Sequence, residues 1–520
     1  MFADFDLLIV NGVVVTDTEA GEYDVAIKDE KIAKVVKRGE LKDAKATRTI
    51  DAEGGYVMIR SLAALTGMSI YKSRHYSAKD HRRTISRPVR RNVLKKLSVI
   101  KLSCVGSRSA VCGGTTTMVP FAPQKKSEDT LLDTLHATHA KAQDNCYIDY
   151  SFHLLVGNPS ERALSEFKTL REEGITSLKI YMTYEALKLN DGEILDVLLE
   201  ARKNQITTMI HAENGELIDW MTKQLEKRKM FAPKFHGPSH PPMAEIEATH
   251  RAICLSEFMD SPILIVHVST PQATAYIKAA QNRGIPIYAE TCPQYLFLTK
   301  NDLDKPGFEG AKCVCSPPPR ESEADCDAIW TGLADGTFTI LSSDHCPFRY
   351  DDNVDGKKTC INEEYPDGHF KYIPNGIAGI ETRLSLALGE DRLDVKKFVE
   401  LTSTNPAKLY GLYPLKGGLV EGKSDADINI WYPPGKMPLF TLTNSMLHHN
   451  VDYTPFEGRT LKQWPRYTIL RGKVVWDREN GGLLGEKGYG KFIKREPSSL
   501  AKPRFEGEWD VREDGSFGFY

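Results

Sequence analysis

The middle of the chain alternates short apolar runs with amphipathic stretches, and this alternation limits the folds open to it. The apolar runs predict strands, whereas stretches such as 192–205 and 271–284 have the periodicity of helices. In the second stretch Thr270 is a candidate N-cap and Pro271 a first helical residue. The strand-like runs are SLKIYMTY (177–184), TTMIHAEN (207–214), PILIVHVST (262–270), PIYAETCP (286–293) and TILSSDHCP (339–347).

Repeated strand–helix units predict parallel strands joined by helical crossovers. A chain of 520 residues has room for a (β/α)8 barrel, the TIM-type α/β fold, and we expect that architecture. A doubly wound open sheet is the alternative. No phosphate-binding loop that would favour an open sheet is evident: GxGxxG does not occur, and the one GxxxxGKS match, at 417–424, precedes the strand-like run 425–433 and not a helix.

Both ends of the chain show a different pattern, in which short apolar runs alternate with turns. Residues 6–58, 425–433 and 467–480 have this character, and Asn11-Gly12 predicts a hairpin. We expect the two ends to form one smaller β-sandwich domain. The predicted divisions are 1–58 (N-terminal part of the β-domain), 59–105 (an anomalous basic segment), 106–415 (the barrel), 416–490 (C-terminal part of the β-domain with a barrel-associated segment) and 491–520 (a flexible tail rich in Gly, Pro and charge).

Charge and composition exclude several classes of protein. The formal net charge of −2 argues against a nucleic-acid partner, and no apolar run approaches the ~18 residues of a membrane-spanning helix. Asp4 and Asp6 precede any basic residue, which is not typical of a signal peptide. The ten cysteines include no CxxC pair, a pattern typical of free thiols in a reducing compartment. We therefore expect a cytoplasmic protein with neither nucleic-acid nor membrane partners.

Four of the strand-like runs carry a side chain suited to a metal site: Lys179, His211, His267 and Asp344. In a (β/α)8 barrel the carboxyl ends of the strands meet at one face, so these residues can converge. Two imidazoles and a carboxylate are ligands typical of Zn²⁺ or Mn²⁺. Each residue alone has a commoner structural interpretation, such as a core histidine, a helix cap or a lysine that extends to the surface. Their occurrence on successive runs favours the metal site.

A buried lysine beside two cations has a specific chemical use. Its neutral amine can add CO2, and the resulting carbamate is a carboxylate able to bridge both ions. A hydroxide between the ions is a strong nucleophile near neutral pH. Asp344 could then carry the proton to a leaving nitrogen, and Tyr184 could donate to the developing oxyanion. A packed aromatic residue at a strand end is the commoner interpretation of Tyr184.

The sequence resembles the dihydropyrimidinase/hydantoinase family of cyclic amidohydrolases, in particular the fungal dihydropyrimidinase type. The resemblance covers about 1–58 and 106–490. The motifs are LKIYMTY (178–184), MIHAENGELIDWM (209–221), ILIVHVSTPQA (263–273), YAETCPQY (288–295), CSPPPR (315–320), SSDHCPF (342–348), PNGIAGIETR (374–383), STNPAKLYGLYP (403–414) and HHNVDYTPFEG (448–458).

The resemblance implies a role for each matching residue. Lys179 corresponds to a carboxylated lysine that bridges two divalent ions, most simply Zn²⁺. His211 and His267 correspond to ligands of the second ion. Asp344 corresponds to a ligand of the first ion that also serves as the acid/base. Tyr184 corresponds to the group that polarises the substrate carbonyl, while Ser316 and the backbone around Asn375 hold the cyclic amide.

The implied reaction opens 5,6-dihydrouracil or dihydrothymine to N-carbamoyl β-amino acids in pyrimidine degradation. The implied assembly is a homotetramer. The alternatives are a hydantoinase-like hydrolase of related cyclic imides and a non-catalytic tetrameric scaffold of the same fold.

The chain departs from the family at the first barrel strand, where a His-x-His pair should bind the first metal. None of the 14 histidines forms such a pair, and His75 and His81 are too far apart to replace it.

The departure falls in residues 59–105, which hold 12 Lys/Arg and one Asp. The net charge of this segment is +11, which leaves −13 for the rest of the chain. Read in a shifted frame, Ser61 to Tyr71 can encode Pro-Gly-Gly-Val-Asp-x-His-Val-His-Leu. We therefore interpret 59–105 as a reading-frame error, with a genuine surface insertion as the alternative, and expect weak or absent activity of this chain.

Overall fold

The structure, a computed structural model, describes residues 3–59, 62–64, 102–511, 515 and 517–519. Most of the anomalous segment 59–105, including His75 and His81, lies outside the described residues, so the frame-error interpretation of this segment stays a prediction. Within the segment, Leu62–Ala64 form a short strand parallel to Thr117–Val119.

Parallel strands occupying eight positions form a curled sheet in the described part of the chain, as the alternation predicts. Two positions are split into two short strands, the first of them at Pro120, which has no N–H to donate. In order around the sheet the positions are Leu62–Ala64; Thr117–Val119 with Phe121–Pro123; Asp149–Tyr150 with His153–Leu155; Ser177–Tyr181; Thr207–His211; Ile263–Ile265; Ile287–Thr291; and Ile340–Leu341. The predicted (β/α)8 fold is confirmed.

Helices connect the strands and cover the outside of the sheet. Pro271–Asn282 begins where predicted, because the Thr270 side chain accepts a hydrogen bond from the Ala273 N–H. None of the described helices combines the length and the hydropathy needed to cross a membrane. The α-helices are Ser107–Cys112, Leu132–Ala142, Glu161–Ser165, Phe167–Glu172, Asp191–Lys203, Gly215–Lys227, His236–Ser239, Pro242–Met259, Pro271–Asn282, Gln294–Phe297, Glu323–Ala334, Arg383–Gly389, Val395–Val399 and Asn405–Leu409.

Short helical turns also occur in the loops. The 3-10 turns are Pro233–Phe235, Lys300–Asp302, Glu309–Cys313, Lys357–Cys360, Phe370–Tyr372 and Asn444–Met446, and two wider turns lie at Leu102–Gly106 and Glu400–Thr404.

The two-residue period of the strands decides which side chains enter the barrel. Leu178 and Ile180 of strand Ser177–Tyr181 belong to the large apolar cluster that also contains helix residues. Tyr181 belongs instead to a second cluster, together with Phe121 and Met209 of neighbouring strands. Because residues two apart share a face, Lys179 lies on the same side as Tyr181, in the lumen.

A nine-stranded sheet combines both ends of the chain into the predicted smaller β-domain. Its N-terminal strands are Phe5–Val15, Ala20–Lys28, Lys31–Lys37, Ala46–Asp51 and Tyr56–Ile59, and its C-terminal strands are Ile428–Trp431, Pro465–Leu470, Lys473–Asp477 and Gly482–Leu483. Tyr56–Ile59 pairs with Ile428–Trp431 and so joins the two ends. Two further strand pairs lie outside this sheet, Phe440–Thr441 with Thr460–Leu461 and Trp509–Val511 with Phe517–Phe519.

The hairpin predicted at Asn11-Gly12 is wrong. Both residues lie inside the single strand Phe5–Val15, where the register shifts between Ile9 and Gly12. Asn11 has φ = 57°, and Asn and Gly accept positive φ in a bulge as readily as in a turn. The dipeptide therefore indicated a local backbone conformation and not a chain reversal.

The segment after residue 490 lies along the barrel, although its composition predicts flexibility. Arg495 is buried and donates to Ser151 Oγ at 2.9 Å and Ser177 Oγ at 2.7 Å. Glu496 N–H donates to Gly411 O at 2.9 Å. These contacts hold residues 495–496 against two neighbouring strand positions of the barrel.

A buried ion cluster joins the barrel to the β-domain. The Nζ of Lys416 lies 2.7 Å from Asp149, which begins a barrel strand, and 2.9 Å from both Asp425 and Asp427 beside strand Ile428–Trp431. Arg471 of the β-domain also pairs with Asp149. The Lys416 and Asp149 side chains are both fully buried, so the carboxylates depend on these two cations for compensation.

Replacing Lys416 by Met should lower the free energy of unfolding by about 3–5 kcal/mol, because it leaves buried carboxylates without their cation. The matched control is Lys462→Met, which removes an exposed pair with Asp391 and should cost less than about 1 kcal/mol. Urea denaturation of both variants measures the difference. Equal midpoints would contradict a stabilising role for the cluster.

Candidate active site

Lys179 lies at the centre of the barrel with 1% of its surface exposed. Its Nζ is 5.1 Å from the ring centroid of Phe121 and 5.0 Å from that of Tyr181. Burial lowers the pKa of Lys179, and the negative charges of Asp344 and Glu290 oppose the shift. The amine is thus held in a site that favours its neutral form more than water does.

Two imidazoles stand beside each other at the carboxyl ends of neighbouring strands. His211 ends strand Thr207–His211, and His267 follows strand Ile263–Ile265 by two residues. Their ring centroids are 4.4 Å apart. Burial, together with the charge of Lys179, holds the pKa of His211 well below its usual range, and burial does the same for His267. Both rings are therefore neutral and keep a nitrogen lone pair at neutral pH.

Asp344 follows strand Ile340–Leu341 by three residues and is 6% exposed. One of its carboxylate oxygens accepts a hydrogen bond from Gln294 Nε2 at 3.4 Å. Within the described chain the ligand atoms of Asp344, His211 and His267 are not all within 4.8 Å of one another. The three ligand atoms therefore do not form one compact cluster of three ligands.

The backbone is strained at three of the candidate residues. Tyr184, His267 and Asp344 have φ values of 66°, 42° and 41°. Bulky residues rarely adopt this left-handed conformation, which costs of order 1–3 kcal/mol and is common where a site imposes a geometry. No sequence pattern indicated these conformations.

The donor set fits a divalent transition metal. The Nδ1 of His267 is buried and makes no hydrogen bond within the described part of the chain. A buried imidazole nitrogen without a partner is destabilising unless a ligand or water satisfies it. Two neutral imidazoles and a carboxylate are the ligands that Zn²⁺ prefers.

Tyr184, Ser316 and Asn375 are brought together by one amide group. Asn375 Nδ2 donates to Ser316 Oγ at 2.9 Å and to Tyr184 OH at 3.4 Å. The Ser316 and Tyr184 side chains also hydrogen-bond to each other, so the amide and the two hydroxyls form one network. The side chain of Asn375, and not only the backbone around it, therefore organises this edge of the site.

Lys357 is a site residue that the sequence did not single out. It is fully buried, and its Nζ donates to the carbonyls of Val314, Pro374 and Gly376 at 2.9, 2.7 and 2.8 Å. Burial lowers the pKa of Lys357 to about 8, so at neutral pH it keeps all three N–H donors. One ammonium group thus ties the loop of Ser316 to the loop of Asn375.

Glu213 is a second residue that the sequence analysis missed. Its side chain is fully buried, and Oε2 lies 2.7 Å from His211 Nε2. Burial raises the pKa of Glu213 to about 8, although Arg320 opposes the shift. Its position two residues after His211 on a strand end was the available signal, since such residues share a face.

Comparisons with known proteins agree with this geometry. A model of the amidohydrolase family matches residues 99–475. D-hydantoinase from Ralstonia pickettii is 35% identical over 494 residues, covering 94% of this chain and 99% of its own length. D-hydantoinase from Streptomyces coelicolor is 36% identical over 495 residues, covering 94% and 97%.

A solved structure of the same group of enzymes is also similar to this chain. The crystal structure of dihydropyrimidinase from Brevibacillus agri superposes with a TM-score of 0.82 at 34% identity, covering 94% of this chain and 98% of the other. The resemblance inferred from the motifs is confirmed: the chain belongs to the amidohydrolase family, as a homologue of D-hydantoinases and dihydropyrimidinases.

Proposed function

We propose that this protein is a metal-dependent hydrolase that opens 5,6-dihydrouracil and dihydrothymine to N-carbamoyl β-amino acids. The observation that carries the proposal is the buried Lys179 next to two neutral imidazoles at the carboxyl ends of barrel strands. Relatives named D-hydantoinase and dihydropyrimidinase over nearly the whole chain support cyclic amides as the substrate class.

Lys179, His211, His267 and Asp344 would hold two divalent cations, most simply Zn²⁺. The neutral amine of Lys179 adds CO2 and releases a proton, which makes a carbamate with two oxygen ligands. Cations at this position lower the pKa of water and so supply a hydroxide nucleophile near neutral pH.

The remaining chemistry belongs to side chains of the protein. Tyr184 OH donates to the ring carbonyl oxygen as negative charge develops on it, and Asn375 holds that hydroxyl from the other side. Water adds to the carbonyl carbon, the C–N bond of the ring breaks, and Asp344 carries the proton from the water to the ring nitrogen. Ser316, held by Asn375, donates to the ring and fixes its orientation.

Two alternatives each have an observation in their favour. Relatives named D-hydantoinase favour a hydrolase of hydantoin-like cyclic imides. The missing His-x-His pair favours a non-catalytic scaffold. The family resemblance further implies a cytoplasmic homotetramer, and sedimentation velocity of the purified chain measures the assembly.

We infer that the chain as written has weak or no activity, because one ion would lack two imidazole ligands. A restored variant, in which residues 61–90 are replaced by their shifted-frame reading and residues 91–105 are removed, should bind about two zinc ions per chain and hydrolyse dihydrouracil. The chain as written should bind less zinc and turn over far more slowly. Metal analysis and a ring-opening assay on both proteins measure this.

Sequencing the natural transcript across residues 59–105 separates the two explanations of that segment. An uninterrupted transcript that encodes these same residues would contradict the frame-error interpretation. A restored variant that binds no metal and turns over no cyclic amide would favour the scaffold.

In the restored variant, Tyr184→Phe should lower kcat by about 10²–10³, because it removes a donor to the developing oxyanion. Tyr276→Phe is the matched control, since Tyr276 is 43% exposed and lies outside the candidate site. Steady-state kinetics with dihydrouracil measure both. An unchanged kcat in Tyr184→Phe would exclude the proposed role.

Lys357→Met in the restored variant should raise KM about tenfold with a smaller change in kcat, because the two loops that bind the ring lose their common donor. The neighbouring substitution Lys358→Met is the control, because Lys358 pairs with the exposed Asp351. Equal KM values in the two variants would show that Lys357 does not position the loops.

A further inference from the structure

A second group of metal-ligand side chains lies outside the candidate active site. It consists of Cys112 at the end of helix Ser107–Cys112, Glu381 just before helix Arg383–Gly389, and His448 after the turn Asn444–Met446. One ligand atom of each lies within 4.8 Å of the other two. Among the described residues, no other set of three His, Cys, Asp or Glu donors meets this limit.

We propose that Cys112, Glu381 and His448 form a separate site for a divalent transition-metal cation, with Zn²⁺ the ion that best fits the donors. A thiolate, a carboxylate and an imidazole are each established zinc ligands. The thiolate and the carboxylate together neutralise the two charges of the cation, which a buried site requires. The inference is independent of the proposed function, since the two sites share no residue.

The backbone is built to bring these ligands close. A Cβ at Gly113 would lie 2.3 Å from the carbonyl oxygen of Glu381, so only glycine lets the helix end approach that residue. Trp464 Nε1 donates to the carbonyl of Cys112 at 3.0 Å and fixes the helix end.

Further hydrogen bonds orient the ligands from outside the cluster. Ser109 Oγ donates to Glu381 Oε2 at 2.7 Å, and Arg108 Nη2 donates to the carbonyl of His448 at 2.6 Å. His448 Nδ1 lies 2.7 Å from Glu381 Oε1. When a cation binds, the Cys112 thiol proton leaves to solvent and the imidazole proton moves from Nδ1 to Nε2 of His448, which leaves Nδ1 as a neutral ligand. Hydrogen bonds that orient the ligands in this way are typical of metal sites in proteins.

A small cavity borders the cluster on the side of Glu381. Ser109, Glu381 and His449 are among the residues that line it. His449 Nε2 is buried and has no hydrogen-bond partner within the described part of the chain. The His448 side chain is 34% exposed, which gives an ion a route from solvent.

Cobalt substitution tests the proposal without any assay of activity. The protein loaded with Co²⁺ should show a near-ultraviolet sulfur-to-cobalt charge-transfer band, because Cys112 is a ligand. Cys112→Ser should abolish the band, whereas Cys346→Ser, which removes a thiol two residues from Asp344, should retain it. Lys179→Ala should also retain it, which separates this site from the candidate active site.

Glu381→Gln should weaken cobalt binding at least tenfold, while Glu390→Gln, an exposed control, should not change it. No charge-transfer band in the wild-type protein, or a band that persists in Cys112→Ser, would overturn the proposal. If circular dichroism shows that Cys112→Ser does not fold, X-ray absorption of zinc-loaded Cys346→Ser decides: a sulfur scatterer supports the site, and nitrogen and oxygen scatterers alone contradict it.

Discussion

The burial of an amine in the lumen of the barrel is the constraint on which the candidate active site depends. Lys179 alternates with apolar residues that face the helices, so the strand itself directs it inward. Desolvation makes its charged form unfavourable, and the carboxylates of Asp344 and Glu290 offset part of that cost. The same dry environment keeps His211 and His267 neutral. Carboxylation of the lysine would replace a poorly solvated cation by a metal ligand.

Much of the fold could be predicted because its signals are local. Alternating apolar and amphipathic stretches indicated parallel strands with helical crossovers, and the β-rich ends indicated a shared domain. The positions of Lys179, His211, His267 and Asp344 at or after strand ends could be inferred once the barrel was assumed. The hairpin at Asn11-Gly12 was wrong because positive φ serves a bulge as well as a turn.

Other parts of the site could not be predicted because they depend on distant loops meeting in space. Lys357 contacts three carbonyls on two loops, and nothing in its own neighbourhood indicates them. The bridging role of Asn375 likewise requires Ser316 and Tyr184 to converge. Family membership rests on the barrel and the β-domain, whereas the proposed loss of activity rests on the sequence of residues 59–105. The family assignment therefore does not depend on whether this chain is active.

The most direct test of the account is ¹³C NMR of the restored variant, loaded with zinc and equilibrated with ¹³C-labelled bicarbonate. A carboxylated lysine places one labelled carbon in the protein. If Lys179 is carboxylated, a carbamate resonance appears and is lost in Lys179→Ala. The absence of that resonance, or its persistence in Lys179→Ala, would contradict the assignment of Lys179 as the centre of the catalytic site.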